Sequence, residues 1–159
     1  MKALHELGAI GMMGSMAAYV VLVATAPADS LEGYAAVRRG IDFVCRWILV
    51  PSLVLTLTSG LLSIAFTEAY KNAGWAWFKA ALGIIMFEGT LLTIQASATR
   101  AAELATAAVA KGLSDPEALA PILRTEWNSL WLMLVLCFAN IVLAVWRPRF
   151  SRRRAADPE

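Results

Sequence analysis

Four stretches of the 159-residue chain carry almost no formal charge, and each is long enough to cross a bilayer. Leu7 to Ala28 gives 22 residues without a charge, Trp47 to Thr67 gives 21 and Trp127 to Trp146 gives 20; Ala80 to Thr99 gives 20, interrupted only by Glu88. A helix rises about 1.5 Å per residue, so roughly 20 residues cross a hydrocarbon core about 30 Å thick. Lipid offers no partner for backbone N–H and C=O groups, so each run must satisfy them internally as helix. Buried helices of a water-soluble bundle would show a polar face every few residues, and these runs do not. The composition agrees, at 59% hydrophobic and 16% charged, where water-soluble domains sit near half and a quarter. The expected fold is all-α: a four-transmembrane-helix up-down bundle in one domain, residues 1–147, with spans at about 4–27, 47–67, 79–99 and 127–146.

The first run resembles a secretory signal, with Ala24-Thr25-Ala26 as a small-residue cleavage site. Its basic start is weak, because Glu6 offsets Lys2, and the run is long for the apolar part of a signal, so it reads as a retained span. The C-terminal segment 148–159 carries Arg149, Arg152, Arg153 and Arg154, with Arg147 just before it. This is the pattern of a basic cytoplasmic tail under the positive-inside rule. Four spans then place both termini in the cytoplasm of a bacterial-type inner (plasma) membrane. Lysines and arginines number eight inside against six outside, so the orientation rests on the tail. A nucleic-acid role for the arginines has no interleaved aromatics or recognisable fold behind it. Cys45 and Cys137 lie at different depths, which argues against a disulfide.

The outer connections read as helical extensions. Asp29 and Glu32 have capping-box spacing, so a short helix should start there and run into span two. Arg100 to Lys111 is alanine-rich and should continue span three until Gly112 stops it. Ser114-Asp115-Pro116-Glu117 repeats the capping signal before span four. The inner connection, Glu68 to Gly74, is short. Gly11 with Ser15, and Gly14 with Ala18, have the small-xxx-small spacing of close helix contacts in lipid, or alternatively leave room for a flat cofactor. Trp47, Trp75, Trp77, Trp127, Trp131 and Trp146 fall near span ends, as an aromatic belt does.

A few residues exceed what spanning requires. Glu88 lies mid-span, where a charged carboxyl facing lipid costs several kcal/mol, so it is expected to face the bundle, protonated or paired, with Gln95 on its face at i, i+7. It could form an interhelical hydrogen bond, anchor a ligand or handle protons. His5, the sole histidine, sits at the inner mouth of span one, and a neutral imidazole is a good ligand for haem iron. Met12 and Met16 follow on a similar face, where methionine is usually apolar filler. Lys79 opens span three at the level of His5 and either snorkels to the interface or offers a cation to a carboxylate such as a haem propionate. Arg38 and Arg39 could do so only at the opposite face. No zinc spacing, phosphate loop, dinucleotide turn or nucleophile–base pair is visible, so hydrolytic chemistry has no support.

Lys2-Ala3-Leu4-His5, Arg38-Arg39, Pro51 with Leu57-Thr58-Ser59-Gly60, Trp77-Phe78-Lys79, Arg124 to Asn128, and Ile141-Val142-Leu143 up to Arg147-Pro148 occur in an order that resembles HemJ-type membrane proteins and their CopD-like relatives. The resemblance spans all four runs. It implies a protoporphyrinogen oxidase-like oxidoreductase that binds haem b, with His5 ligating iron and Lys79 supporting the tetrapyrrole. Met12, Met16 and Glu88 complete the candidate cofactor set. This chain departs from the family in having one histidine and in carrying Glu88. The competing expectation is a non-enzymatic accessory subunit that packs against a larger membrane complex through its glycine faces and protruding hairpin; a homo-oligomer is the other partner left open.

Overall fold

The computed structural model describes residues 1–27, 29–112 and 120–146, and the side chains of all of these except 120–123 and 125. Among them the chain is helical throughout, with no strand. Four helices are long and apolar enough to cross a membrane: Lys2–Ala24, Leu31–Phe66, Gly74–Lys111 and Glu126–Trp146. The protein is a multi-pass membrane protein. The second capping signal and the arginine tail lie outside the described residues.

The two middle helices are far longer than a bilayer requires. At about 1.5 Å per residue, 36 and 38 residues extend about 54 and 57 Å, some 25 Å more than the hydrocarbon core. Each is built from two α-helical parts joined by a π turn: α2 (Leu31–Val44) and α3 (Val50–Phe66) flank Cys45–Leu49, while α5 (Gly74–Gly89) and α6 (Ala96–Lys111) flank Thr90–Gln95. The first helix is α1 (Lys2–Ala24), α4 (Glu68–Lys71) is a single turn in the short connection, and α7 (Ala120–Trp146) is the last.

Local chemistry accounts for both π turns. Pro51 has no N–H to give, and its ring crowds the carbonyl four residues back, a strain that a widened turn just before it relieves. In the other helix the Thr93 hydroxyl donates to the Gly89 carbonyl at 2.6 Å, competing with the backbone ladder. The two π turns touch each other. At the ends, the Ser30 hydroxyl accepts from Gly33 N–H at 3.1 Å, so the cap of α2 lies one residue beyond the Asp29 position read from the sequence. Gly112, at φ 63°, closes α6 in the left-handed region.

Helices α1, α3, α5 and α7 pack in that order, while α2 lies along α6 as a hairpin. Alanines make the hairpin tight: Ala35 on α2 and Ala98, Ala101, Ala102 and Ala105 on α6 are all buried. The Thr99 hydroxyl also donates to Asp42 at 2.5 Å. The glycines of α1 are spent on α3. A Cβ at Gly8 would collide with the Thr56 hydroxyl and lie 2.9 Å from backbone atoms of Ser52 and Thr56; one at Gly11 would strike the Ser52 hydroxyl; Gly14 faces open space. Close packing, rather than a cofactor gap, is therefore what Gly8 and Gly11 serve.

The large core side chains gather in the half of the molecule next to the hairpin. Met12, Met16, Tyr19, Ile41, Cys45, Leu49, Leu53, Met86, Ile94, Leu130, Met133 and Cys137 form one cluster. Towards the N-terminal side the buried residues are Gly8, Ser59, Ile64 and Ala76, and nothing in α7 beyond Cys137 is buried. Outward, Trp47, Trp77, Trp131 and Trp146 are exposed as belt residues, but Trp127 packs against the core. Both cysteines are free and buried.

Gly8→Ala is expected to lower stability by about 1–3 kcal/mol through overpacking against rigid backbone. Gly14→Ala should be neutral or slightly stabilising, since it removes a helical glycine without a clash. Thermal unfolding in detergent compares the two directly.

Candidate functional site

Three helical stripes converge where the hairpin joins the apolar core. On α2 the buried positions Ala35, Arg38 and Ile41 step by one turn, which turns Arg38 inward. On α7, Glu126 precedes Ser129, Leu130, Met133 and Cys137 on one face. On α1, Tyr19 ends the stripe Gly8, Met12, Ser15 and Met16. Arg38 and Glu126 are each 1% exposed and Tyr19 is fully buried.

Their polar atoms meet. Arg38 Nη1 donates to both carboxylate oxygens of Glu126, at 2.8 Å each. The Tyr19 hydroxyl donates to Glu126 Oε1 at 2.5 Å. Arg38 Nε donates to the Tyr34 hydroxyl at 2.9 Å, with the guanidinium carbon 5.1 Å from the Tyr34 ring centre. The cation and anion cancel, and three donor contacts satisfy the carboxylate, which is the condition under which a buried ion pair is tolerated. Among the described residues, Arg38 Nη2 is buried without a hydrogen-bond partner. Chemically this is a lock between α1, α2 and α7. Two surface grooves lie elsewhere: one, of about 610 Å³, is bounded by Leu91, Gln95, Ala96, Thr99, Arg100 and Glu103, the other, of about 210 Å³, by Glu32, Ala35, Arg39, Thr106 and Val109.

A second polar group lies at the N-terminal side. His5 is half-buried and continues the inward stripe of α1. Its Nδ1 donates to the Thr56 carbonyl at 2.9 Å, with the Ser59 hydroxyl 3.3 Å away. A carbonyl oxygen can only accept, so this bond puts the proton on Nδ1 and leaves the Nε2 lone pair available. Ser59 itself donates to the Leu55 carbonyl at 2.6 Å. Gly60 lets the imidazole lie against α3, since a Cβ there would sit 3.4 Å from the ring.

The residues singled out from sequence separate into different places. His5 and Lys79 both lie at the N-terminal side, on α1 and α5, which flank α3; Lys79 is half-buried. Met12 and Met16 are deep in the hydrophobic cluster. Glu88 does not face the bundle: it is exposed on the outer surface of α5, away from His5. The π turn also breaks the expected face with Gln95, because one extra residue rotates the rest of the helix by about 100°. Gln95 Oε1 is buried with no hydrogen-bond partner among the described residues. Among the described residues no three of His, Cys, Asp and Glu cluster as a metal site.

The Arg38–Glu126–Tyr19 lock was missed in the sequence. Its signal was faint but present: Arg38 and Glu126 carry opposite charges, and the four-span topology puts both on the same side. The fold and these clusters define a helical membrane protein with a buried ion pair at one end and a fixed imidazole at the other. No family model, curated protein or solved structure matches the chain.

Arg38→Met or Glu126→Leu alone should cost about 3–5 kcal/mol by stranding a buried charge, while the double variant should recover most of that loss. Unfolding midpoints of the two single variants and the double variant give the coupling. Additive losses would show that the pair does not act as a unit.

Proposed function

We propose that the four apolar helices form an up-down bundle in a bacterial-type inner membrane, with both termini cytoplasmic, and that its cytoplasmic half binds a b-type haem or another tetrapyrrole through His5. The observation that carries this reading is the hydrogen bond from His5 Nδ1 to the Thr56 carbonyl. Metal-ligating histidines characteristically give their second ring N–H to such an acceptor, which fixes the tautomer and orients Nε2. The surroundings suit a flat ligand. Ala76 of α5 is small, and α7 buries nothing at that level.

His5, Lys79, Met12 and Met16 then each have a part. His5 offers the iron ligand, held from behind by α3. Lys79, on the same side, offers an ammonium to a ring carboxylate. Met12 and Met16 supply an apolar floor beyond the imidazole. Glu88 has no part in this site. A bound haem supplies electron transfer, so oxidoreductase activity of the HemJ type is the enzymatic form of the proposal. The second reading is an accessory subunit of a larger membrane complex. It is favoured by the projecting α2–α6 hairpin with Glu32, Arg39, Arg100, Glu103 and Lys111 exposed on it.

The absorption spectrum of the purified protein decides between them. A Soret band that is lost in His5→Ala and weakened in Lys79→Ala is expected. No band in the wild-type protein, or an unchanged band in His5→Ala, removes the haem reading. Co-purification with other chains at fixed stoichiometry and without pigment would favour the subunit.

A further inference from the structure

One ionisable side chain faces away from everything this chain can offer it. Glu88 lies nine residues beyond Lys79 and twelve before Arg100, which places it about 14 Å and 18 Å along the helix from those charges. It is therefore near mid-membrane. It is exposed, and so are its neighbours on that face of the long helix, Ala81, Ile84, Ile85 and Leu92. Among the described residues it takes part in no hydrogen bond or ion pair. Hydrocarbon can satisfy neither a carboxylate nor a carboxylic acid.

We propose that this face of α5 is covered by the same face of a second copy of the chain, with the two Glu88 side chains meeting across a two-fold axis as a hydrogen-bonded carboxylic acid pair. The acid form carries both an O–H donor and a carbonyl acceptor, so two of them satisfy each other with no further group. A two-fold axis brings a residue against its own copy, so it places the Glu88 of one copy opposite the Glu88 of the other at the same depth. Among the described residues, no exposed lysine or arginine of a second copy lies at that level. Ile84 and Leu92, one turn to either side, would pack around the pair and exclude lipid. This surface is remote from His5 and stands whether or not haem is bound.

The test uses the whole chain reconstituted in phosphatidylcholine vesicles, with association read by energy transfer between labelled copies. The wild type should dimerise. Glu88→Leu should weaken dimerisation about tenfold, the scale of one intramembrane polar contact. Glu88→Gln, whose carboxamide also donates and accepts, should stay within about twofold. Because Cys45 and Cys137 are buried, Ile84→Cys serves as a cross-linking reporter in an otherwise native chain and should form a disulfide dimer on oxidation. Ile10→Cys, on the exposed side of α1, should not. A monomeric wild type, undiminished association of Glu88→Leu, or equal cross-linking from both cysteines would overturn the proposal. So would association that needs a different protein.

Discussion

Helices that outrun the membrane by some 25 Å must be held where they leave it, and here the Arg38–Glu126 pair does so. Moving a guanidinium and a carboxylate out of water costs several kcal/mol each, offset only by close geometry and full hydrogen bonding. The Glu126 carboxylate has both, through Arg38 and Tyr19. Those contacts join α1, α2 and α7, elements that are distant in the chain. The hairpin could otherwise swing about its π turns, because α2 and α6 bind chiefly to each other through alanines. The pair contributes direction as much as stability, since a donor and an acceptor on fixed stripes admit one register.

The π turns set which faces those stripes present. Each adds a residue without breaking the helix, so the seam rotates by roughly a quarter-turn between the membrane part and the hairpin part. Cys45 and Leu49 from one turn, and Thr90 and Ile94 from the other, are buried where the turns touch. Arg38 reaches the core on the α2 stripe of Ala35 and Ile41, and Glu88, just before the second turn, lies on the face opposite buried Met86.

This is also where legibility ended. Span number, helical class, the continuation of span three into Arg100–Lys111 and the stop at Gly112 all follow from charge-free length and glycine chemistry, which are local. The one-residue displacement of the α2 cap, from Asp29 to Ser30, is a small failure of the same local rules. Glu88 failed for a larger reason. Assigning it to the interior assumed that one chain must satisfy its own polar groups, and an i, i+7 face with Gln95 assumed an unbroken α period. The Arg38–Glu126 contact, 88 residues apart in sequence, needed a helix order that no local pattern encodes. His5 and Lys79 fall on one side because that requires only the direction of each span.

The two ends of the molecule differ in kind as a result. Near the hairpin, bulky side chains and a neutralised ion pair leave little freedom. Towards the N-terminal side, glycine, serine and alanine replace them, α7 offers no buried residue, and the main polar contact is an imidazole tied to backbone. Small residues let the helices there approach one another closely, as Gly8 and Gly11 do against α3, in place of interdigitating bulky side chains. The rigid hairpin end allows it, because the register of all four helices is set there and need not be set again at the other side.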